Sequence, residues 1–296
     1  MAVLLYVVGS GRSGSSLLDA VLGASPDISG TGELHRLCLS PDDRLCSCGS
    51  TIARCQHWNV VRSVLDQRSG ASLRSWSEWD VSAQPIGRLE TASRMLSRLS
   101  VLPMVPPGFG SWRQRDASAA RRTFELVESI AEYDGSAVVV DSTKSPSRLL
   151  TLARANPRDV RAVYLVRDGR ATADSLMRAT GSAWTMCVLR WWASQRRASS
   201  VLRASRVPHL LVRYEDFCRD PLATVNAVRH LCELPSIDAL PALAGTSRHM
   251  IPGNPVLLAD IRSVTLDDRW KESHSSTREL VFRLIAGRRA RRLGYR

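Results

Sequence analysis

Lysine is nearly missing from this chain. Of 41 basic residues in 296, only Lys144 and Lys271 are lysines, and the rest are arginines. The net charge of +13 asks for an anionic partner. The arginines are scattered, however, with no basic block interleaved with aromatics and no zinc-finger or RNA-binding signature, which argues against nucleic acid. Many of them belong on solvated helix faces, which leaves a few for a polyanionic small molecule. Long apolar runs are also lacking. The first one stops at Val8, too short to span a membrane, and no basic segment precedes it as in a secretory leader. Seven cysteines are an odd number, in a chain too long to need stapling. Together these features predict a reducing, cytoplasmic setting. Repeats and low-complexity tracts are absent, and 44% hydrophobic residues suit a globular chain, read as one domain over 1–296.

Strand and helix signals alternate along the chain. Val3–Val8 is continuously apolar, as a strand buried on both faces is. A Gly/Ser-rich turn follows, and then Leu17, Leu18, Val21 and Leu22 fall on one side of a helix. The pairing repeats with strands at 137–140, 160–166 and 209–212 and helices at 147–155, 168–178 and 221–233. Asp220 and Pro221 stand as N-cap and first residue of the last of these. A further helix is predicted over 277–293. Such alternation implies an α/β fold, a P-loop-like parallel sheet with helices on both faces. The rhythm fails over about 36–118, read as a partly helical insertion. Residues 235–255, rich in proline, read as loop.

The sharpest motif is Gly9-Ser10-Gly11-Arg12-Ser13-Gly14-Ser15-Ser16, between the first strand and the first helix. A glycine-rich turn running into a helix N-terminus offers backbone N–H groups and positive potential to a phosphate. The spacing nearly fits Gly-x-x-x-x-Gly-Lys-Ser/Thr, through Gly9, Gly14 and Ser16. Ser15 stands where the lysine belongs, and the cation has moved to Arg12. That shift disfavours the magnesium-assisted β/γ-phosphate grip of a nucleotide kinase.

Arg12-Ser13-Gly14-Ser15-Ser16-Leu17 resembles the 5′-phosphosulfate loop of sulfotransferases that use 3′-phosphoadenosine 5′-phosphosulfate (PAPS). The likeness is to bacterial members and, in motif spacing, to tyrosylprotein sulfotransferases. It implies a sulfotransferase-type fold and a sulfonate passed from PAPS to a hydroxyl of a small acceptor such as a sugar, lipid or natural product, with no metal required. It also implies that Gly11, Arg12, Ser13, Gly14, Ser15, Ser16 and Leu17 hold the nucleotide. Four more segments fit the family's order. Tyr164 to Ser175 resembles the 3′-phosphate site, with Arg167 and Ser175 as its ligands; Arg167 alone would be read as a structural pair with Asp168. In Gly30-Thr31-Gly32-Glu33-Leu34-His35, Glu33 matches the general base, with His35 as the rival. Val140 to Pro146 places Lys144 beside the sulfonate, where a compact ammonium suits better than a guanidinium. Val212 to Phe217 matches the segment whose tyrosine, here Tyr214, lies near the adenine. The match weakens after His249-Met250-Ile251-Pro252-Gly253-Asn254-Pro255, where Arg262 is the candidate for a missing cation. The expected catalytic set is Glu33, Arg12 and Lys144.

Cys46-Ser47-Cys48-Gly49, Cys55 and His57 could bind a metal or form a disulfide. The spacing is not that of a zinc finger and no Cys-x-x-Cys is present, so buried thiols are the favoured reading and no metal is assigned. Trp184, Val188, Trp191 and Trp192 share a helix face, the mark of a core, with an apolar acceptor wall as the alternative. Two other functions compete: a P-loop small-molecule kinase, and a non-catalytic nucleotide-binding protein.

Overall fold

A computed structural model describes residues 1–39, 41–82, 110–243, 249–253, 261 and 263–296. Its framework is a parallel sheet in the order β2-β3-β1-β4-β5. The strands are β1 (Val3–Gly9), β2 (Ile28–Gly30), β3 (Val138–Lys144), β4 (Val160–Val166) and β5 (His209–Arg213).

β1 lies at the centre, and its side chains alternate between two cores. Leu4, Tyr6 and Val8 enter the larger one, Leu5 and Val7 the smaller. Both faces are therefore covered, which explains why this strand is apolar throughout rather than at every second residue. The larger core is closed by α2 (Gln56–Ser69), α3 (Gly110–Asp134), α4 (Pro146–Ala155), α6 (Trp184–Ser205) and α9 (Ser276–Arg292). The smaller core is closed by α1 (Ser15–Leu22), α7 (Tyr214–Arg219) and α8 (Pro221–Leu231). α5 (Gly169–Thr180) follows β4 directly and packs on α6.

The sequence signals fall where expected to within about two residues, except that the strand read as 137–140 runs on to Lys144 through the polar Asp-Ser-Thr-Lys. Asp220 caps α8, its carboxylate accepting the Ala223 N–H at 2.9 Å, with Pro221 as the first helical residue. Ser145 caps α4 in the same way. The edge strand β2 was not foreseen, because Ile-Ser-Gly carries no alternation to read and is drawn into register only by β3. Trp184, Val188 and Trp191 are buried in the larger core, as helix spacing implied. The described part of the 36–118 stretch packs on that same face through Leu37, Ile52, Trp58 and Trp76.

Candidate active site

Because the strands are parallel, their carboxyl ends share one edge, and each end delivers one of the motifs. β1 runs into the Gly9–Ser16 loop, β2 into Thr31-Gly32-Glu33, β3 ends on Lys144, β4 gives Arg167, and β5 gives Tyr214. Ligands of open α/β sheets bind at this edge. A surface depression lined by Met1, Arg68, Phe124 and Asn156 lies at the opposite, amino ends of the strands and holds none of these motifs.

The loop is curled by two residues with left-handed backbone, Arg12 (φ 66°) and Gly14 (φ 90°). Such a conformation is uncommon for a side-chain-bearing residue and marks a constrained position. Successive N–H groups in a loop of this kind form an anion-binding concavity. Gly14 is required on a second ground: a Cβ there would lie 2.7 Å from Cε2 of Tyr214. The Tyr214 ring is thus the floor of the loop. Its hydroxyl donates to the Thr265 carbonyl and accepts the Asp267 N–H, each at 3.2 Å. Tyr214 is buried, so its contact with the loop is through its ring. The hydroxyls of Ser10 and Ser13 are buried and meet no partner among the described residues.

Arg12 extends from the loop to α5, where its Nε donates to Ser175 Oγ at 3.1 Å. Arg167 donates to the Arg12 carbonyl at 3.4 Å and lies 4.6 Å above the Tyr214 ring. Two segments 155 residues apart therefore bring their guanidinium groups to one place. Burial, with the like charges of Arg167 and Arg178, pushes the Arg12 guanidinium below its ordinary value. Arginine keeps its proton all the same, so the cluster needs an anion. Asp267 supplies part of that charge, pairing with Arg167 at 3.2 Å. Its carboxyl is held far below the usual range, chiefly by Arg269 and then, against burial, by Arg167. Arg167 Nε remains buried without a partner among the described residues. The Arg167 carbonyl accepts the Trp191 indole N–H at 3.1 Å, so Trp191 fixes the strand end as well as filling the core.

Glu33 is buried and pairs with Lys144 Nζ at 2.6 Å and with Arg36. Burial pushes its carboxyl up, but Lys144 and Arg36 outweigh this, and the net position is below the ordinary carboxylate value. Lys144 also donates to the Ser142 carbonyl at 2.8 Å, from a left-handed backbone (φ 71°). It pairs in register with Val8, one residue before the loop begins. His35 takes a different course. Its Nδ1 lies 3.0 Å from Thr143 Oγ1, and that hydroxyl donates to Asp141. The imidazole must then donate to Thr143, which leaves Nε2 unprotonated. Burial pushes His35 down to about 4.

Asp141, the buried acid near the end of β3, accepts from Arg148, from Thr143 and from the Leu34 N–H. These bonds engage the carboxylate that a kinase would want on magnesium. Asp19 of α1 accepts the Gly32 N–H at 2.9 Å beneath the Glu33 loop, and burial raises its carboxyl to about 7.

A family model described as "Sulfotransferase family" matches residues 5–238. The chain belongs to the sulfotransferase family. Among solved structures, the sulfotransferase domain of the Synechococcus PCC 7002 olefin synthase is similar at 20% identity and a TM-score of 0.54, over 97% of this chain and 94% of that one. The sulfotransferase domain from the curacin biosynthetic pathway is similar at 17% identity and a TM-score of 0.56, over 100% and 99%. These likenesses show a shared fold. No curated protein sequence matches the chain.

For this sulfotransferase, Arg12, Ser175, Arg167 and Tyr214 converge as one group, and Glu33 with Lys144 as another. Arg262 lies outside the described residues, as do 83–109 of the insertion. Sequence reasoning passed over Arg178, although it follows Ser175 by three positions and so shares its helix face. It also passed over Asp267 and Asp19, for which no local signal exists. The histidine beside the cysteines is His249, not His57: the two imidazoles stack with ring centroids 4.6 Å apart, and it is His249 that reaches the sulfurs.

Proposed function

We propose that this sulfotransferase takes its sulfonate from PAPS and gives it to a hydroxyl of a small-molecule acceptor. The observation that carries the reading is the meeting of Arg12, Arg167 and Ser175 at the carboxyl edge of the sheet, next to a phosphate-type loop. A cluster of guanidinium groups, with a buried Arg167 Nε that meets no partner among the described residues, fits a nucleotide bearing a second phosphate. The Ser10 and Ser13 hydroxyls of the loop, without a partner among the described residues, fit the first one.

The loop N–H groups with Arg12, Ser13 and Ser15 would hold the 5′-phosphosulfate, and Arg167 with Ser175 the 3′-phosphate. PAPS, when bound, supplies a sulfonate on a good phosphate leaving group. The protein's part is positioning and charge stabilisation, as in phosphoryl transfer. Lys144 and Arg12 offset negative charge as it builds on the leaving phosphate. Glu33, ionised and oriented by Lys144 and Arg36, takes the acceptor proton on a carboxylate oxygen. Trp191 and Tyr214 keep the two arginine-bearing segments in place. The described part of the 36–118 stretch, packed on the larger core through Leu37, Ile52, Trp58 and Trp76, would shape the acceptor site.

The test is transfer of radiolabelled sulfonate from PAPS across a panel of sugars, lipids and phenolic compounds. Labelling of an acceptor supports the reading. Phosphate transfer from ATP with magnesium, and none from PAPS, would favour the kinase.

A further inference from the structure

Four ligand atoms from two distant segments meet on the flank of the Glu33 loop. Cys46 and Cys48 lie on a tight turn. The Cys46 N–H donates to the Ser50 carbonyl at 2.8 Å and the Gly49 N–H to the Cys46 carbonyl at 2.9 Å, with Gly49 at φ 89°. Leu45 and Thr51 pair across its base. Cys55 stands at the N-cap of α2. His249 arrives from 194 residues away, its Nδ1 at 3.2 Å from Cys55 Sγ and 3.9 Å from Cys46 Sγ. The sulfurs of Cys48 and Cys55 are 3.7 Å apart, and all four ligand atoms lie within 4.8 Å of one another.

These separations have a simple geometric meaning. Zn–S bonds of about 2.3 Å and Zn–N bonds of about 2.0–2.1 Å in a tetrahedron give S···S edges of roughly 3.8 Å and S···N edges of roughly 3.5 Å. A disulfide would need its sulfurs at about 2.0 Å. The backbone N–H groups of Cys48, Ser50 and Trp58 point at the sulfurs of Cys46, Cys48 and Cys55 respectively, so each thiolate already has a backbone donor. Three thiolates and one imidazole are a soft, tetrahedral set that selects zinc over calcium or magnesium.

We propose that Cys46, Cys48, Cys55 and His249 bind one zinc ion, with release of the three thiol protons. All four positions are filled by protein, so the site is closed and structural. Its effect is to clamp the 249–253 strap against the Glu33 loop. Met250 N–H donates to Ser47 Oγ at 2.9 Å, and Ser47 N–H to the Met250 carbonyl at 3.0 Å. One residue on, Ile251 N–H donates to the Thr31 carbonyl at 2.8 Å and its own carbonyl accepts the Glu33 N–H at 2.9 Å. At Gly253 the strap presses so closely on the Glu33 carboxylate that a Cβ would overlap it. The metal thus makes its four ligands positioning residues for Glu33. That consequence rests on the proposed role of Glu33, whereas the metal site does not.

The test is the metal content of the purified full chain. Elemental analysis should find one zinc per chain, released when a mercurial blocks the thiols. Refilling with cobalt should give the ligand-field and thiolate charge-transfer bands of a four-coordinate sulfur site. His249→Ala should weaken zinc binding at least 10-fold, whereas His57→Gln should keep it. Stripped of zinc, the wild-type protein should lose kcat while still binding 3′-phosphoadenosine 5′-phosphate. If His249→Ala does not fold, the cobalt spectrum of the wild type still decides the matter. The proposal fails if no zinc or cobalt binds, if mass analysis finds a Cys48–Cys55 disulfide, or if His57→Gln loses the metal and His249→Ala keeps it. Metal stoichiometry does not depend on sulfonate transfer, so its failure is distinct from failure of the proposed function.

Discussion

Replacing Ser175 by alanine removes one hydroxyl from α5, a residue that is buried and bonded to Arg12 Nε at 3.1 Å. If that hydroxyl and the neighbouring guanidinium groups grip a 3′-phosphate, the loss should depend on the ligand. A hydrogen bond to a charged group contributes about 1.5–3 kcal/mol. Ser175→Ala should therefore weaken 3′-phosphoadenosine 5′-phosphate by roughly 10- to 100-fold. Adenosine 5′-phosphate lacks the 3′-phosphate and should bind the variant and the parent equally. Arg167→Ala should have a larger effect in the same direction. Arg167 also donates to the Arg12 carbonyl and stacks on Tyr214, so its removal disturbs the loop and costs some affinity for both nucleotides. The informative quantity is then the ratio of the two affinities in each protein, in which loop effects cancel. Isothermal calorimetry at fixed ionic strength measures it, because contacts between charges weaken with salt. The parent should prefer the 3′-phosphorylated ligand by at least about 100-fold, two charge-assisted contacts' worth, and each variant should lose part of that preference. An unchanged ratio in both variants, or no preference in the parent, would refute the assignment of this cluster to a 3′-phosphate.

Three other outcomes follow from the geometry. Glu33→Gln should leave nucleotide affinity intact and slow turnover by about 10²- to 10⁴-fold, more for an alkyl alcohol than for an acidic phenol, while His35→Ala is much milder; a severe His35→Ala with a benign Glu33→Gln in steady-state kinetics would exchange their roles. Gly14→Ala must fit a Cβ against the Tyr214 ring at φ 90°, at a cost of roughly 2–4 kcal/mol from overpacking and left-handed backbone; urea unfolding should show the loss, and an unchanged midpoint would contradict the close packing of loop and ring. Asp19 has its carboxyl raised from an ordinary 3.8 to about 7 by burial, so between those values the folded chain holds a proton that the unfolded chain gives up, and stability from this group falls as pH rises. Asp19→Asn cannot lose that proton, so its unfolding midpoint should gain on the parent between pH 5 and pH 8, and a constant gap would show that Asp19 is ionised throughout.

What the chain's order of residues determined was mostly local. An apolar run, a glycine turn and a one-sided helix pattern are statements about neighbours a few positions apart, and they located β1, α1 and most of the later strand–helix pairs. The motifs were legible for the same reason. In a parallel sheet the residues just after each strand share one edge, so Arg12, Lys144, Arg167 and Tyr214 fall together whatever the strand order, whereas Glu33, whose strand β2 was not foreseen, was found only through resemblance to the family's motif. Tertiary structure alone decided what those residues do to one another. Arg12 reaches Ser175 across 163 positions, Lys144 reaches Glu33 across 111, and Asp267 pairs with Arg167 from a segment that carries no periodic signal. The cysteines make the point most plainly. Their local spacing drew attention to His57 because it is close in sequence. His57 stacks instead on His249, and His249 meets the thiols because its strap is hydrogen-bonded to Ser47 and to the Glu33 loop. Sequence patterning reports which backbone conformation and burial suit a residue, but pairing between distant side chains depends on chain closure and packing, which no window of neighbouring residues contains.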